Sequence, residues 1–194
     1  MVRLQRQMEF LLELDKLKTV FRRNYLADGS RTENDAEHSW YFAVAALVLA
    51  EHAKEPIDVS RVVRMGLVHD VVEIDAGDTF IYDEAAKQGQ AEREQRAADR
   101  LFGLLPKDQA RDLLALWREF EEGTTPESRY ARAIDRIVAV ILNYASQGKT
   151  WKQHRVSKQQ ILAINERIAA GSPALWSHVR ELIEDAARRG FIEG

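Results

Sequence analysis

A histidine and an aspartate stand side by side at His69-Asp70, inside the otherwise apolar run Val62-Val63-Arg64-Met65-Gly66-Leu67-Val68-His69-Asp70-Val71-Val72. An imidazole and a carboxylate are costly to bury unless something pairs with them, and a divalent metal pairs with both. The chain has no cysteine, so any such metal must be held by His, Asp or Glu. His38 shares a helical face with Tyr41, Phe42, Ala45 and Leu49, and Asp135 lies at helical spacing from Ala131, Val138, Ala139 and Leu142. Taken singly, each has a plainer reading: a satisfied core histidine, and a buried salt bridge to an arginine. Glu73, four residues after His69 and three after Asp70, shares their side on a helix, and Asp78 follows Gly77 in the turn beyond.

The elements that must position these groups read as helices. Apolar spacing predicts a helix over 2–21, and the polar stretch 22–33 with Asp28-Gly29-Ser30 predicts a loop. Asn34 with Glu37 forms a capping box that opens a helix to about Ala53. Asp58 caps the next, which is expected to run to about Glu73 through His69-Asp70. A charge-rich helical stretch follows over 83–105 with a break near Gly89. Pro106 opens a helix ending near Gly123, and Pro126 opens one ending at Gly148. Ser157 with Gln160 forms a further capping box, and a last helix runs from Ser172-Pro173 to Gly190. The expectation is an all-α bundle of seven to nine helices, one domain over 1–194, without strands.

At 194 residues the chain can bury a real core, and a net charge of −3 gives no drive toward a nucleic acid polymer or an anionic membrane. No apolar run reaches the length of a membrane span, and residues 1–15 lack the apolar core of a signal peptide, so the cytoplasm is the expected compartment. His52 reads as a solvent-facing residue, His154 as part of a basic surface loop and His178 as a packing residue. Trp117, Trp151 and Trp176 read as core or subunit contacts.

The set His38, His69-Asp70 and Asp135 resembles the H…HD…D signature of the HD-domain metal-dependent phosphohydrolases. Arg31-Thr32-Glu33-Asn34-Asp35-Ala36-Glu37-His38-Ser39, Leu17-Lys18-Thr19-Val20-Phe21-Arg22 and His69-Asp70-Val71-Val72-Glu73-Ile74-Asp75-Ala76-Gly77-Asp78 are similar to segments of its bacterial 5′-deoxynucleotidase branch. The likeness covers about residues 10–145, and 150–194 are expected to be helices capping the bundle. It implies that His38, His69, Asp70 and Asp135 hold one divalent transition metal (Co, Mn, Fe, Ni or Zn), with Glu73 and Asp78 as catalytic acids. It also implies that Arg22 contacts the substrate phosphate and that the chain works as a homodimer on deoxyribonucleoside 5′-monophosphates. Arg23, Trp40 and Thr79 complete the expected substrate contacts. Arg22 also fits an exposed helix-terminal cation, and Trp40 a core residue.

Two departures stand out. Arg23 occupies the position where that branch carries a tryptophan linked to deoxyribose selection, and Thr79-Phe80-Ile81-Tyr82-Asp83 does not reproduce its proline-containing lid. No histidine lies between Asp70 and Asp135, whereas binuclear members draw extra histidines from that region, so one metal is expected. Three other readings stay open. They are a phosphohydrolase acting on another small phosphate ester, a non-catalytic nucleotide- or metal-binding module, and a helical interaction protein with a buried ion-pair network.

Overall fold

The computed structural model describes residues 2–83 and 85–192. Met1, Glu84, Glu193 and Gly194, which fall in ranges read above, lie outside the described residues. Helix α1 (Val2–Leu14) gives way to a 3-10 turn at Asp15–Thr19, so the α-helix ends seven residues short of the predicted 2–21. A two-stranded antiparallel hairpin then follows, β1 (Phe21–Tyr25) and β2 (Thr32–Asn34), where a loop was expected. Its pairs are Phe21 with Asn34 and Tyr25 with Thr32, so Arg22, Arg23 and Asn24 oppose Glu33 alone. Such a bulge bends a strand and re-aims its side chains. The hairpin has no apolar alternation to announce it. Tertiary bonds hold it instead: Thr150 donates to the Arg23 carbonyl at 3.0 Å and Asn143 Nδ2 to Asn24 Oδ1 at 3.1 Å.

The capping box at Asn34 and Glu37 opens α2 (Asp35–Val48). Asp58 caps α3 (Val59–Gly66), which stops well short of the expected end. His69–Val72 form a 3-10 turn, followed by the single turn α4 (Glu73–Ala76). The next helices are α5 (Gln90–Phe102), α6 (Lys107–Glu122) and α7 (Pro126–Ala145). Gly89 precedes α5 and Gly123 follows α6, both with left-handed backbone that favours glycine. The chain closes with α8 (Lys149–Gln153), α9 (Lys158–Asn165), α10 (Ile168–Gly171) and α11 (Pro173–Arg188). Among the described residues eight helices reach two turns or more, so the protein is an all-α bundle carrying one small hairpin.

Two apolar clusters build the interior. The larger gathers Phe42, Val62, Met65, Ile134, Val138, Ile161 and Ile183 from α2, α3, α7, α9 and α11. The smaller joins Phe10 of α1, Val68 just before the 3-10 turn, Val71 and Val72 within it, and Leu101 and Phe102 of α5. The His69 turn therefore bridges the clusters, with its ring 5.1 Å from Phe42 and 4.7 Å from Phe120. Among the described residues no helix is long and apolar enough to cross a membrane. His178 is exposed rather than packed, because it falls on the outer face of α11.

Gly66 lets α3 approach α2 closely, since a Cβ there would be driven into the Phe42 ring. Overfilling a packed core costs about 1–3 kcal/mol. Gly66→Ala is expected to lower stability by that amount in a urea unfolding titration, and a midpoint shift under about 0.5 kcal/mol would contradict this packing.

Candidate metal centre

The break between α3 and the 3-10 turn frees the Gly66 carbonyl, and His69 Nδ1 donates to it at 2.9 Å. That bond fixes the tautomer and leaves Nε2 as a lone pair. His69 Nε2 is buried without a hydrogen-bond partner, yet it lies 3.1 Å from Asp70 Oδ1 and 3.9 Å from Asp135 Oδ1. His38, one turn into α2, reaches the same point: its Nε2 lies 3.0 Å from Asp135 Oδ1 and 3.8 Å from Asp70 Oδ2. His38, His69 and Asp135 each offer a ligand atom within 4.8 Å of the others. Asp70 stands beside this trio and accepts from Arg22 Nη1 at 2.7 Å. Two imidazole nitrogens and two carboxylates converge here, with His69 Nε2 left buried and unpartnered, so the donor set fits a divalent cation.

Behind the imidazole of His38, Glu33 Oε2 is 3.5 Å from Nδ1, and neither atom has another partner. A buried carboxylate there holds the proton on Nδ1 and points Nε2 inward. Burial and the Arg22 charge pull the His38 imidazole down, but Asp135, Glu33 and Asp70 outweigh them and raise it to about 9. Burial pulls His69 down against the charges of Asp70 and Asp135. Burial pushes the Asp135 carboxyl up, but the His38 hydrogen bond and the charges of His38, His69 and Arg22 hold it well below the carboxylate range.

A second acidic group adjoins the first: oxygens of Asp35, Glu73 and Asp78 also lie within 4.8 Å of one another. Burial, then the Asp70 charge, raises Asp35 to about 7 and pushes Glu73 well above its ordinary value, and burial raises Asp78. Arg22 is the cation among them. Its guanidinium is 3.5 Å from Asp35, 4.0 Å from Asp78 and 3.9 Å from Asp135, so it is a half-buried strand residue rather than an exposed helix-terminal cation. The strand bulge turns Arg22 inward and leaves Arg23 outward, on the rim of a cleft it shares with Thr79, Phe80 and Trp151. A cavity of about 730 Å³ opens onto His69, Asp70, Glu73, Asp78, Thr79 and Asp135.

Trp40 does not join this group. It is 65% exposed and lines neither cavity, because two residues along a helix turn a side chain about 200° away from His38. His154 packs its ring 4.5 Å from Phe80 at the cleft edge, while His52 is exposed. Glu33 and Asp35 went unrecognised in the sequence as site residues. The available signal was spacing, since Asp35 and His38 lie three apart on one helix.

The sequence matches the family described as HD domain over residues 14–176. The human 5′-deoxynucleotidase HDDC2 is 29% identical over 135 residues, 69% of this chain and 65% of that protein. The bovine 5′-deoxynucleotidase HDDC2 is 30% identical over 135 residues, 69% of this chain and 64% of that protein. The chain thus spans slightly less than two thirds of these curated relatives. A crystal structure from Magnetospirillum magnetotacticum MS-1, described as a "predicted metal-dependent phosphohydrolase", superposes with a TM-score of 0.95. It is 50% identical, over 99% of this chain and 96% of that one.

Removing a carboxylate that orients a ligating histidine typically lowers metal affinity by about 10–100-fold. Glu33→Gln is expected to weaken Mn or Zn binding by that factor in a chelator-competition titration. Unchanged affinity would show that Glu33 does not orient His38.

Proposed function

This chain belongs to the HD domain family, and from that premise we propose that it is a metal-dependent phosphomonoesterase acting on nucleoside 5′-monophosphates, deoxyribonucleoside 5′-monophosphates foremost. The observation that carries the reading is the convergence of His38, His69 and Asp135 at the floor of a cavity that also presents Arg22, Glu73 and Asp78. The substrate class is supported by the HDDC2 relatives, which are 5′-deoxynucleotidases.

In this reading His38, His69, Asp70 and Asp135 hold one divalent ion, with Co, Mn, Fe, Ni and Zn all suited to such ligands. When bound, the ion supplies positive charge that offsets the phosphate dianion. Arg22 offers further charge and hydrogen bonds to phosphoryl oxygens, which strengthen as charge builds in the transition state. Glu73 accepts a proton from the attacking water, and Asp78 delivers one to the departing 5′-oxygen. The P–O ester bond breaks as the water oxygen bonds to phosphorus, giving a nucleoside and inorganic phosphate. The dry apolar walls around His69 keep these charges effective.

We also propose that the active form is a homodimer. Leu4, Met8 and Leu11 of α1, and Trp40, Val44 and Leu47 of α2, are exposed apolar residues at helical spacing on their own helices, which suits a second copy of this chain.

Two measurements test these readings. Phosphate release from paired deoxy- and ribonucleoside 5′-monophosphates should require restored metal after chelator stripping. Glu73→Gln should lower kcat by about 10²–10⁴-fold while metal content stays the same. No release from either series, or an undiminished rate in Glu73→Gln, would refute the assignment. Light scattering should give twice the chain mass for the wild type and one chain mass for the Trp40→Glu, Leu47→Glu double variant; a monomeric wild type would refute the dimer.

A further inference from the structure

Beyond the metal centre, the same cavity has a cationic wall that the hydrolytic reading leaves unused. Arg136, next in sequence to Asp135 but turned about 100° around α7, lines both the large cavity and the adjoining cleft. Its Nη1 is buried with no hydrogen-bond partner, and among the described residues the guanidinium meets no carboxylate within 4.0 Å. Arg132 and Arg167 line the cavity beside it. Arg132 donates to the carbonyls of Phe120 and Glu121 at the end of α6, at 3.1 and 2.6 Å, and among the described residues it has no carboxylate within 4.0 Å. Arg167 is exposed at the mouth. Two like charges beside a partly buried, unpaired guanidinium are unfavourable unless an anion arrives to compensate them.

We propose that Arg136, flanked by Arg132 and Arg167, binds a second phosphate group of the substrate, so that the preferred substrate is a phosphomonoester carrying another phosphate. The inference rests on the phosphohydrolase reading for which end of the molecule is cleaved. Arg136 is distinct from the guanidinium at the metal centre: Arg22 touches Asp35, Asp70, Asp78 and Asp135, whereas Arg136 makes an ion pair with none of them. The scissile phosphate and the second phosphate therefore have separate cations. A volume of about 730 Å³ falls within the usual range for sites that hold a ligand of this size. The cavity lining also carries Glu94 and Glu121, the latter beside Arg132, together with Gln90 and Lys87. Burial raises both carboxyls, Glu121 to about 7 with help from Glu94, which weakens their repulsion of an anion.

The test is calorimetric titration of the metal-loaded protein with uncleavable probes. One pair is the 5′-methylenephosphonate analogue of deoxyadenosine 5′-monophosphate with and without a 3′-phosphate. The other is a hexose 6-phosphonate with and without a 1-phosphate. In at least one pair the second phosphate should tighten Kd tenfold or more. Arg136→Gln should remove most of that gap. Arg167→Gln, an exposed change that leaves folding intact, should shrink it about threefold. Equal affinities within both pairs, or a gap that survives both variants, would overturn the proposal. Phosphate release from deoxyadenosine 5′-monophosphate in the same preparation separates the two readings. Release without a gap refutes the second-phosphate site alone, and a gap without release refutes hydrolysis alone.

Discussion

Charge compensation in a dry interior is the constraint on which the rest of this molecule depends. Glu33, Asp35, Asp70, Glu73, Asp78 and Asp135 surround two buried imidazoles, and among the described residues Arg22 is the guanidinium that pairs with them. Carboxylates this close repel one another strongly when water is excluded. Burial first, and the neighbouring Asp70 charge after it, raises the carboxyls of Asp35, Glu73 and Asp78. Arg22 relieves part of this electrostatic stress, and a divalent ion between His38, His69 and Asp135 would relieve more.

The bundle holds that stress by anchoring each group to a different element. His38 rides on α2, His69 and Asp70 on a 3-10 turn, Asp135 on α7 and Arg22 on a bulged strand. Close packing at Gly66 and Phe42 locks α3 to α2, and valines on the turn pin it into the second apolar cluster. No single loop carries the site. A local opening of one element would leave the buried charges of the others uncompensated, so the apolar packing and the polar cluster support each other.

Much of this was legible in the sequence because capping and breaking residues act locally. Asn34 with Glu37, Ser157 with Gln160, Pro126 and Gly123 each mark a helix boundary within a residue or two. The residues His38, His69, Asp70 and Asp135 were legible because buried ionisable groups are rare against apolar neighbours. The hairpin was hidden because tertiary bonds from Thr150 and Asn143 hold it rather than its own pattern. The end of α3 was hidden for a similar reason: the 3-10 turn is set by the His69 bond to Gly66 and by packing on Phe42. Trp40 misled because nearness in sequence to His38 says nothing of direction around a helix. Arg136 was not singled out in the sequence because an arginine in a charge-bearing helix reads as a solvated residue, and only the fold turns it into the cavity.

The central claim is that the two imidazoles and Asp135 form one metal-binding point. The most direct measurement is an anomalous difference map from crystals of the protein loaded with manganese. The account predicts a single strong peak per chain between His38 Nε2, His69 Nε2 and Asp135, next to Asp70. No peak at that position, or a peak confined to Asp35, Glu73 and Asp78, would contradict it.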